Sequence, residues 1–282
     1  MKYSQRPKYE RRNETIAVLV MILLCIPVLF IYFSFFANAF ILDSTGELTL
    51  QNFQFLYQPI QLSQYTVEPI GKAFRNTVLF TAVATTLEVT ISCMAGYALA
   101  RMEFTGKRVI SFSLLTLRLF PGVLLLIGVL YVLLHLGILN TLTGVIVVAI
   151  ALRLPGSTFI IRNFFAGIPQ DIENSALVDG CNRLTAFFQV IIHMVKPGLA
   201  SISIFAFMSA WSNYLLFNVL IFNTKTPVLA TYLRVLSRND QMIADYGVFA
   251  AMAMVYMLPV LIFFFISQRQ LMQGTISGGK GI

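Results

Sequence analysis

Apolar residues run in long blocks along this chain, and the polar positions are gathered into short intervals between them. A membrane-spanning helix needs about 20 mostly apolar residues. Six blocks reach that length: Thr15 to Phe40, Asn76 to Ala100, Val109 to Leu136, Leu142 to Ile161, Leu199 to Phe222 and Tyr246 to Ser267. The pattern predicts an all-α polytopic membrane protein with six transmembrane helices. It also sets residues 1-71 (N-terminus, first span and a long mixed loop) apart from a core at 72-267 and a Gly-rich tail at 268-282.

The interval 164-197 has a different pattern. Pro169 suits the first position of a helix, Asp171 and Glu173 favour its first turn, and Gly180 suits the left-handed residue beyond its end. One short helix therefore stops at Asp179. Asn182 is placed to cap a second helix, in which Leu184, Phe187, Phe188, Ile191, Ile192 and Val195 form an apolar stripe of helical period. Arg183, Thr185, Gln189, His193 and Lys196 take the other face, and Pro197-Gly198 ends it. Two short helices at a sharp bend, followed at once by a span, suit either an amphipathic element lying in lipid headgroups or insertion into a partner's groove.

Composition sharpens this picture. With 57% hydrophobic and 11% charged residues among 282, the chain is too apolar for a soluble globule. Thirteen of its twenty Lys and Arg fall on the side of the two termini and the 164-197 interval, five fall on the opposite side, and Arg118 and Arg153 lie within spans. The excess of basic residues in short loops marks the cytoplasmic side, which predicts cytoplasmic termini and accounts for the net charge of +8 without nucleic acid. Ala37-Asn38-Ala39 imitates a signal-peptide cleavage site, but the apolar run before it is too long, so an uncleaved first span is expected. Cys25, Cys93 and Cys181 fall in two spans and the cytoplasm, so no disulfide is expected. His135 and His193 are isolated from other metal-ligating residues.

Charges within spans are costly and face a partner or an aqueous path. Glu88, Arg118 and Arg153 either line a translocation path or serve as an internal ion pair or a contact to a partner subunit. Arg118-Leu119-Phe120-Pro121-Gly122 and Arg153-Leu154-Pro155-Gly156 repeat one theme, an Arg just before a helix-breaking pair, and both are read as breaks beside such a path. Trp211, Asn213 and Tyr214 are a further candidate path patch, with aromatic faces able to stack on a ring-shaped solute. The tail from Gly274 to Lys280 spells most of a phosphate-binding loop. Gly281 occupies the Ser or Thr position, however, and neither a strand before nor a helix after is expected, so no nucleotide site is assigned. No arrangement of nucleophile and base, or of paired carboxylates, points to an enzyme.

The segment around Ser175, Ala176, Asp179, Gly180, Phe187, Phe188, Ile191 and Pro197 resembles the cytoplasmic loop of binding-protein-dependent ABC permeases. In that family Glu-Ala-Ala, two residues and Asp-Gly precede Phe, Ile and two prolines; Asn174 stands here in place of the Glu and His193 in place of the first Pro. Three further stretches, in the same order and spacing, are similar to the carbohydrate-uptake permeases of the maltose-transporter type. They are Leu136-Gly137-Ile138-Leu139-Asn140-Thr141, Trp211-Ser212-Asn213-Tyr214 and the tail from Gly274 to Gly281. The resemblance implies the type I ABC importer permease fold, with a MetI-like core, in a bacterial inner membrane. It implies ATPase coupling through Asn174, Ser175, Ala176, Asp179, Gly180, Phe187 and Phe188. The partners it implies are a second homologous permease, two ATPase subunits carrying ATP and magnesium, and an extracytoplasmic substrate-binding protein. The loop between Asn223 and Asp245 is then expected to reach toward that binding protein. No cofactor is expected in this chain. Two rivals remain: half of an ion-coupled secondary transporter using Glu88, Arg118 and Arg153, and an ABC permease for a non-sugar anionic solute bound by Arg118 and Arg153.

Overall fold

The computed structural model describes residues 8-42, 45-62, 65-222, 226-237 and 246-278. In chain order the elements are α1 (Lys8–Ala39), a 3-10 turn (Gln51–Leu56), the strands β1 (Ile60–Leu62) and β2 (Tyr65–Val67), α2 (Gly71–Arg101), α3 (Lys107–Leu117) and α4 (Gly122–His135). There follow α5 (Leu142–Ala166), α6 (Gln170–Val178), α7 (Arg183–Ala186), a π turn (Phe187–Ile191), α8 (Ile192–Met194), α9 (Lys196–Trp211), α10 (Tyr214–Leu220), α11 (Leu229–Ser237) and α12 (Tyr246–Gly278). Among the described residues the fold is helical apart from one small antiparallel hairpin that pairs Ile60 with Val67 and an isolated bridge between Ile41 and Leu48.

Among the described residues four helices, in α1, α2, α5 and α12, are long and apolar enough to cross a membrane, and up to six spans result if each of two bent pairs counts as one. The block read as a single third span, Val109 to Leu136, is instead α3 and α4 bent by 108°. Pro121 opens α4 with extended backbone (ψ 115°), and tight turns close α3 at Arg118 and Leu119. The Arg153-Leu154-Pro155-Gly156 stretch is a correction in the other direction. Helix α5 runs through it unbroken, since one missing hydrogen bond is tolerated where neighbouring helices enclose the backbone. The fifth block, Leu199 to Phe222, is also interrupted: α9 ends at Trp211, and Asn213 Oδ1 accepts from Leu216 N at 3.3 Å to start α10.

The chain divides into two compact units, Met1–Pro69 with Val235–Met257, and Ile70–Arg234 with Leu258–Ile282. In the first, buried Asn52 donates to the carbonyls of Ala39 (3.1 Å) and Ile41 (2.8 Å), tying the 3-10 turn to the end of α1. Gly247 lies so close to the Asn52 amide that no side chain fits there.

The second unit holds the functional residues. Helix α2 packs along α5 and α9. The crossing with α5 is close because Gly96 has no side chain: a Cβ there would stand 2.5 Å from Ile161 Cγ2 and 3.1 Å from the Arg162 backbone N. At the opposite end of α2, Asn76 Nδ2 donates to the Pro227 carbonyl at 2.9 Å and Thr77 Oγ1 accepts from Leu229 N at 2.9 Å, fixing the start of α11. The turn between α4 and α5 places Gly137 (φ 68°) and Asn140 (φ 62°) in the left-handed region. Asn140 Oδ1 accepts from Phe222 N at 2.7 Å, so this turn holds the end of α10.

Candidate functional site

Two places in the second unit collect the residues singled out by sequence. The first is the bend between α6 and α9. Helix α6 begins beyond Pro169 and ends in a Schellman arrangement: Gly180 N donates to the Leu177 carbonyl at 3.2 Å and Cys181 N to that of Ala176 at 3.0 Å. Gly180 has φ 92°, which L side chains avoid. Asn182 Oδ1 accepts from Thr185 N at 2.7 Å and caps α7. The next turn widens to a π turn, and the chain bends by 78° at Val195 before α9. The bend therefore precedes Lys196; Pro197 and Gly198 sit in the first turn of α9, not at a helix end. Gly198 is required there by contact, since a Cβ would meet the ring of Phe164.

The expected apolar stripe divides in two. Phe187, Ile191 and Val195, four residues apart, are buried in a core with Cys93, Tyr97, Ile161, Phe165, Ile168 and Ile202. Leu184 (71% exposed) and Phe188 (59%) face outward with Val178 (87%). Of the coupling residues read from sequence, Asn174, Ser175, Asp179, Gly180 and Phe188 are exposed, while Ala176 and Phe187 are buried beneath them. An exposed apolar tip beside polar groups, on a rigidly packed base, is the surface anatomy of a protein contact.

What holds that tip was not read from sequence. Glu173, only 6% exposed, accepts a 2.6 Å hydrogen bond from the Tyr97 hydroxyl through Oε1, and its Oε2 lies 3.5 Å from Arg101 Nε. Arg101 Nη2 donates to the Ile168 carbonyl at 2.6 Å. The last turn of α2 thus grips both α6 and the segment leaving α5. The carboxylate missing at Asn174 is supplied one position earlier, and pointing inward. The available signal was the spacing of Tyr97 and Arg101, four residues apart and so on one face of α2.

The second place is a cavity of about 330 Å³ lined by residues of α3, α4, α5 and α9 together with Arg118 and Phe120 of the α3–α4 break. Arg153 and Ser157 reach into it from α5, and Phe205 from α9. Glu88, 2% exposed, sits behind: Arg153 Nε donates to its Oε2 at 2.9 Å and Ser157 Oγ to its Oε1 at 2.5 Å. Arg153 Nη2 donates to the Phe205 carbonyl at 2.8 Å. Glu88 and Arg153 therefore form one charge-balanced ion pair. Arg118 stands apart from it, with its guanidinium carbon 5.8 Å from the centre of the Phe159 ring. Trp211, Asn213 and Tyr214 are outside this cavity. Trp211 is buried between Phe207 and Phe74, Asn213 serves as a helix cap, and Tyr214 lies under Arg234. Among the described residues no group of His, Cys, Asp and Glu is arranged to hold a metal. Residues 279-282, with Lys280 and Gly281, lie outside the described residues.

Comparison with known proteins bears on both places. Over 271 residues the chain is 31% identical to the diacetylchitobiose uptake system permease protein NgcG of Streptomyces coelicolor, covering 95% of this chain and 87% of that one. It is 32% identical over 209 residues to the trehalose transport system permease protein SugB of Mycobacterium tuberculosis, covering 74% and 76%. Its fold superposes with a TM-score of 0.77 on a chain of a bacterial ABC transporter involved in import of the acidic polysaccharide alginate, at 18% identity and covering 94% and 98% of the two chains. The model of binding-protein-dependent transport system inner membrane components matches residues 88–276, a stretch that contains the α6–α9 bend and the Arg118 cavity whole, and this chain belongs to that family.

Proposed function

We propose that the chain is one of two permease subunits of an ATP-driven importer for a sugar, oligosaccharide or sugar derivative. The observation that carries the coupling half of this reading is the α6–α9 bend: an exposed Val178, Leu184 and Phe188 tip on a base locked to α2 through Glu173. A surface that inserts into an ATPase and is rigidly tied to a spanning helix can pass the closing of an ATPase pair to the membrane segments. The sugar half rests on the relatives, whose names specify diacetylchitobiose uptake and trehalose transport. ATP and magnesium belong to two separate ATPase subunits, cargo arrives on an extracytoplasmic binding protein, and a second homologous permease completes the path. The chain itself performs no catalysis. The basic residues flanking the bend, Arg101, Lys107, Arg108, Arg162, Arg183 and Lys196, support a cytoplasmic position for it in a bacterial inner membrane.

Affinity purification through a tag on this chain tests the assembly, and thermal stabilisation of the associated binding protein by a sugar panel tests the cargo. Co-purification of an ATPase and a second permease, with stabilisation by at least one sugar, is the expected result. A chain that purifies without an ATPase and accumulates solute on an ion gradient belongs to the secondary-transporter rival.

A further inference from the structure

The cavity at the α3–α4 break carries a charge that nothing within the described chain balances. The ion pairs of this unit include Arg101–Glu173, Lys107–Glu103 and Arg153–Glu88, and none of them involves Arg118. Arg153 donates Nε to Glu88 and Nη2 to the Phe205 carbonyl, so its charge is balanced within the wall. Arg118 has an exposed guanidinium that lies over Phe159 and lines the opening. Gly156 lies beneath it on α5, where a Cβ would make an ordinary contact 3.9 Å from Arg118 Nε.

The backbone carries the same message. Residues between Leu117 and Gly122 are non-helical in the middle of a bent apolar pair. A break in helical backbone and an arginine without a carboxylate partner, both within a membrane segment, are stable where they line a cavity and meet water or a polar ligand, not lipid. The cavity of about 330 Å³ is within the range of small-molecule sites. Phe120 and Phe205 expose more than half of their surface, presenting flat apolar faces next to the free guanidinium. A planar fork of N–H donors beside aromatic faces matches an oxyanion carried on a sugar ring.

We propose that this cavity is a cargo site that accepts an anionic group, a carboxylate, sulfonate or phosphate borne on a sugar, with Arg118 as the residue that reads the charge and Arg153 and Glu88 as its neutral supporting wall. The proposal rests on the reading of the chain as a sugar-importer permease and adds the charge of the cargo. The same oxyanion chemistry is available from a lipid headgroup or from a carboxylate of the second permease, and the test separates these sources.

The test uses cells whose sole sugar importer is the complete complex with its binding protein, offered matched labelled pairs: hexose and hexuronate, their disaccharides, and hexoses sulfonated or phosphorylated at one carbon. The acidic members are expected to be taken up. Arg118→Gln is expected to lower their uptake roughly ten- to a hundredfold, the size of one lost charge-assisted hydrogen bond, with the second permease and ATPase still co-purifying; Arg118→Lys is expected to keep part of the rate. Uptake of neutral sugars only overturns the anionic-cargo proposal and leaves the importer reading intact. Unchanged acidic-sugar uptake in Arg118→Gln also overturns the proposal, as does loss of the second permease or of tightly bound anionic lipid with neutral and acidic uptake falling together, which assigns Arg118 to those contacts. No uptake of any sugar removes the function reading and this proposal with it.

Discussion

Replacing Glu173 by Gln removes the charge that holds the α6–α9 bend to α2 while keeping the shape of the side chain. Both partners are out of water, with the Glu173 and Arg101 side chains each 8% exposed, and the separation is 3.5 Å. Breaking a buried pair by neutralising one member leaves the other charge uncompensated, at a cost of about 3 to 5 kcal/mol. The Gln carbonyl still accepts from Tyr97, and Arg101 keeps the Ile168 carbonyl, so the lower end of that range applies. For a chain of this size about 3 kcal/mol lowers the melting temperature by roughly 6 to 12 °C. The function should fall further than the stability, because the pair is a charged link between the exposed tip and a spanning helix, beside the packing of Phe187 and Ile191 on that helix. In the reconstituted complex, Glu173→Gln should uncouple ATP hydrolysis from uptake at temperatures well below melting. Adding Arg101→Met should recover much of the stability, since no charge is then stranded, but not the coupling. The assays are thermal unfolding of the purified complex and the ratio of ATP hydrolysed to sugar taken up. An unchanged melting temperature together with an unchanged ratio in Glu173→Gln refutes the reasoning.

The Glu88–Arg153 pair makes a parallel case in the cavity wall: Glu88→Gln should destabilise by about 3 to 5 kcal/mol, and a double change of both residues to Met should restore much of it, as read by a double-mutant cycle on melting. Zero coupling energy sinks the pairing. Gly180→Val should introduce roughly 1 to 3 kcal/mol of backbone strain at a left-handed position, lowering the amount of ATPase retained on the complex, with Gly180→Asn milder; equal retention in both variants contradicts the role given to the turn. Gly96→Ala should cost about 1 to 3 kcal/mol by forcing α2 from α5, because its Cβ would meet the fixed backbone of Arg162 as well as Ile161. Full stability of that variant in a melting experiment rejects the close crossing.

The parts of the fold legible in sequence are those governed by block length and local capping. The apolar blocks of α1, α2, α5 and α12 exceed the thickness of a bilayer, and Pro169, Gly180 and Asn182 act through bonds to residues no more than five positions away. Bends were harder. Arg118 to Gly122 and Arg153 to Gly156 look alike as strings, yet one breaks a helix and the other does not, because the outcome depends on what surrounds the freed backbone groups. The apolar stripe beginning at Leu184 gave the right residues but one face too few, since periodicity cannot tell which side of a helix meets the core and which meets a partner. Glu173 illustrates the same limit. Its place beside Asn174 is visible along the chain, whereas its bond to Tyr97, 76 residues earlier, is not. The Trp211-Ser212-Asn213-Tyr214 stretch marks a real feature, the α9–α10 break, although Trp211 is buried in aromatic packing there.

On the proposed function, this chain moves solute by coupling to ATP hydrolysis on other subunits. The direct measurement is uptake of binding-protein-delivered sugar into proteoliposomes holding the complete complex, with ATP or an imposed proton or sodium gradient as the alternative energy source. Accumulation is predicted only with ATP on the side of the α6–α9 bend, and its abolition when a charge is placed in the exposed tip by Phe188→Asp. Accumulation driven by an ion gradient without ATP, by this chain alone and indifferent to Phe188→Asp, contradicts the account.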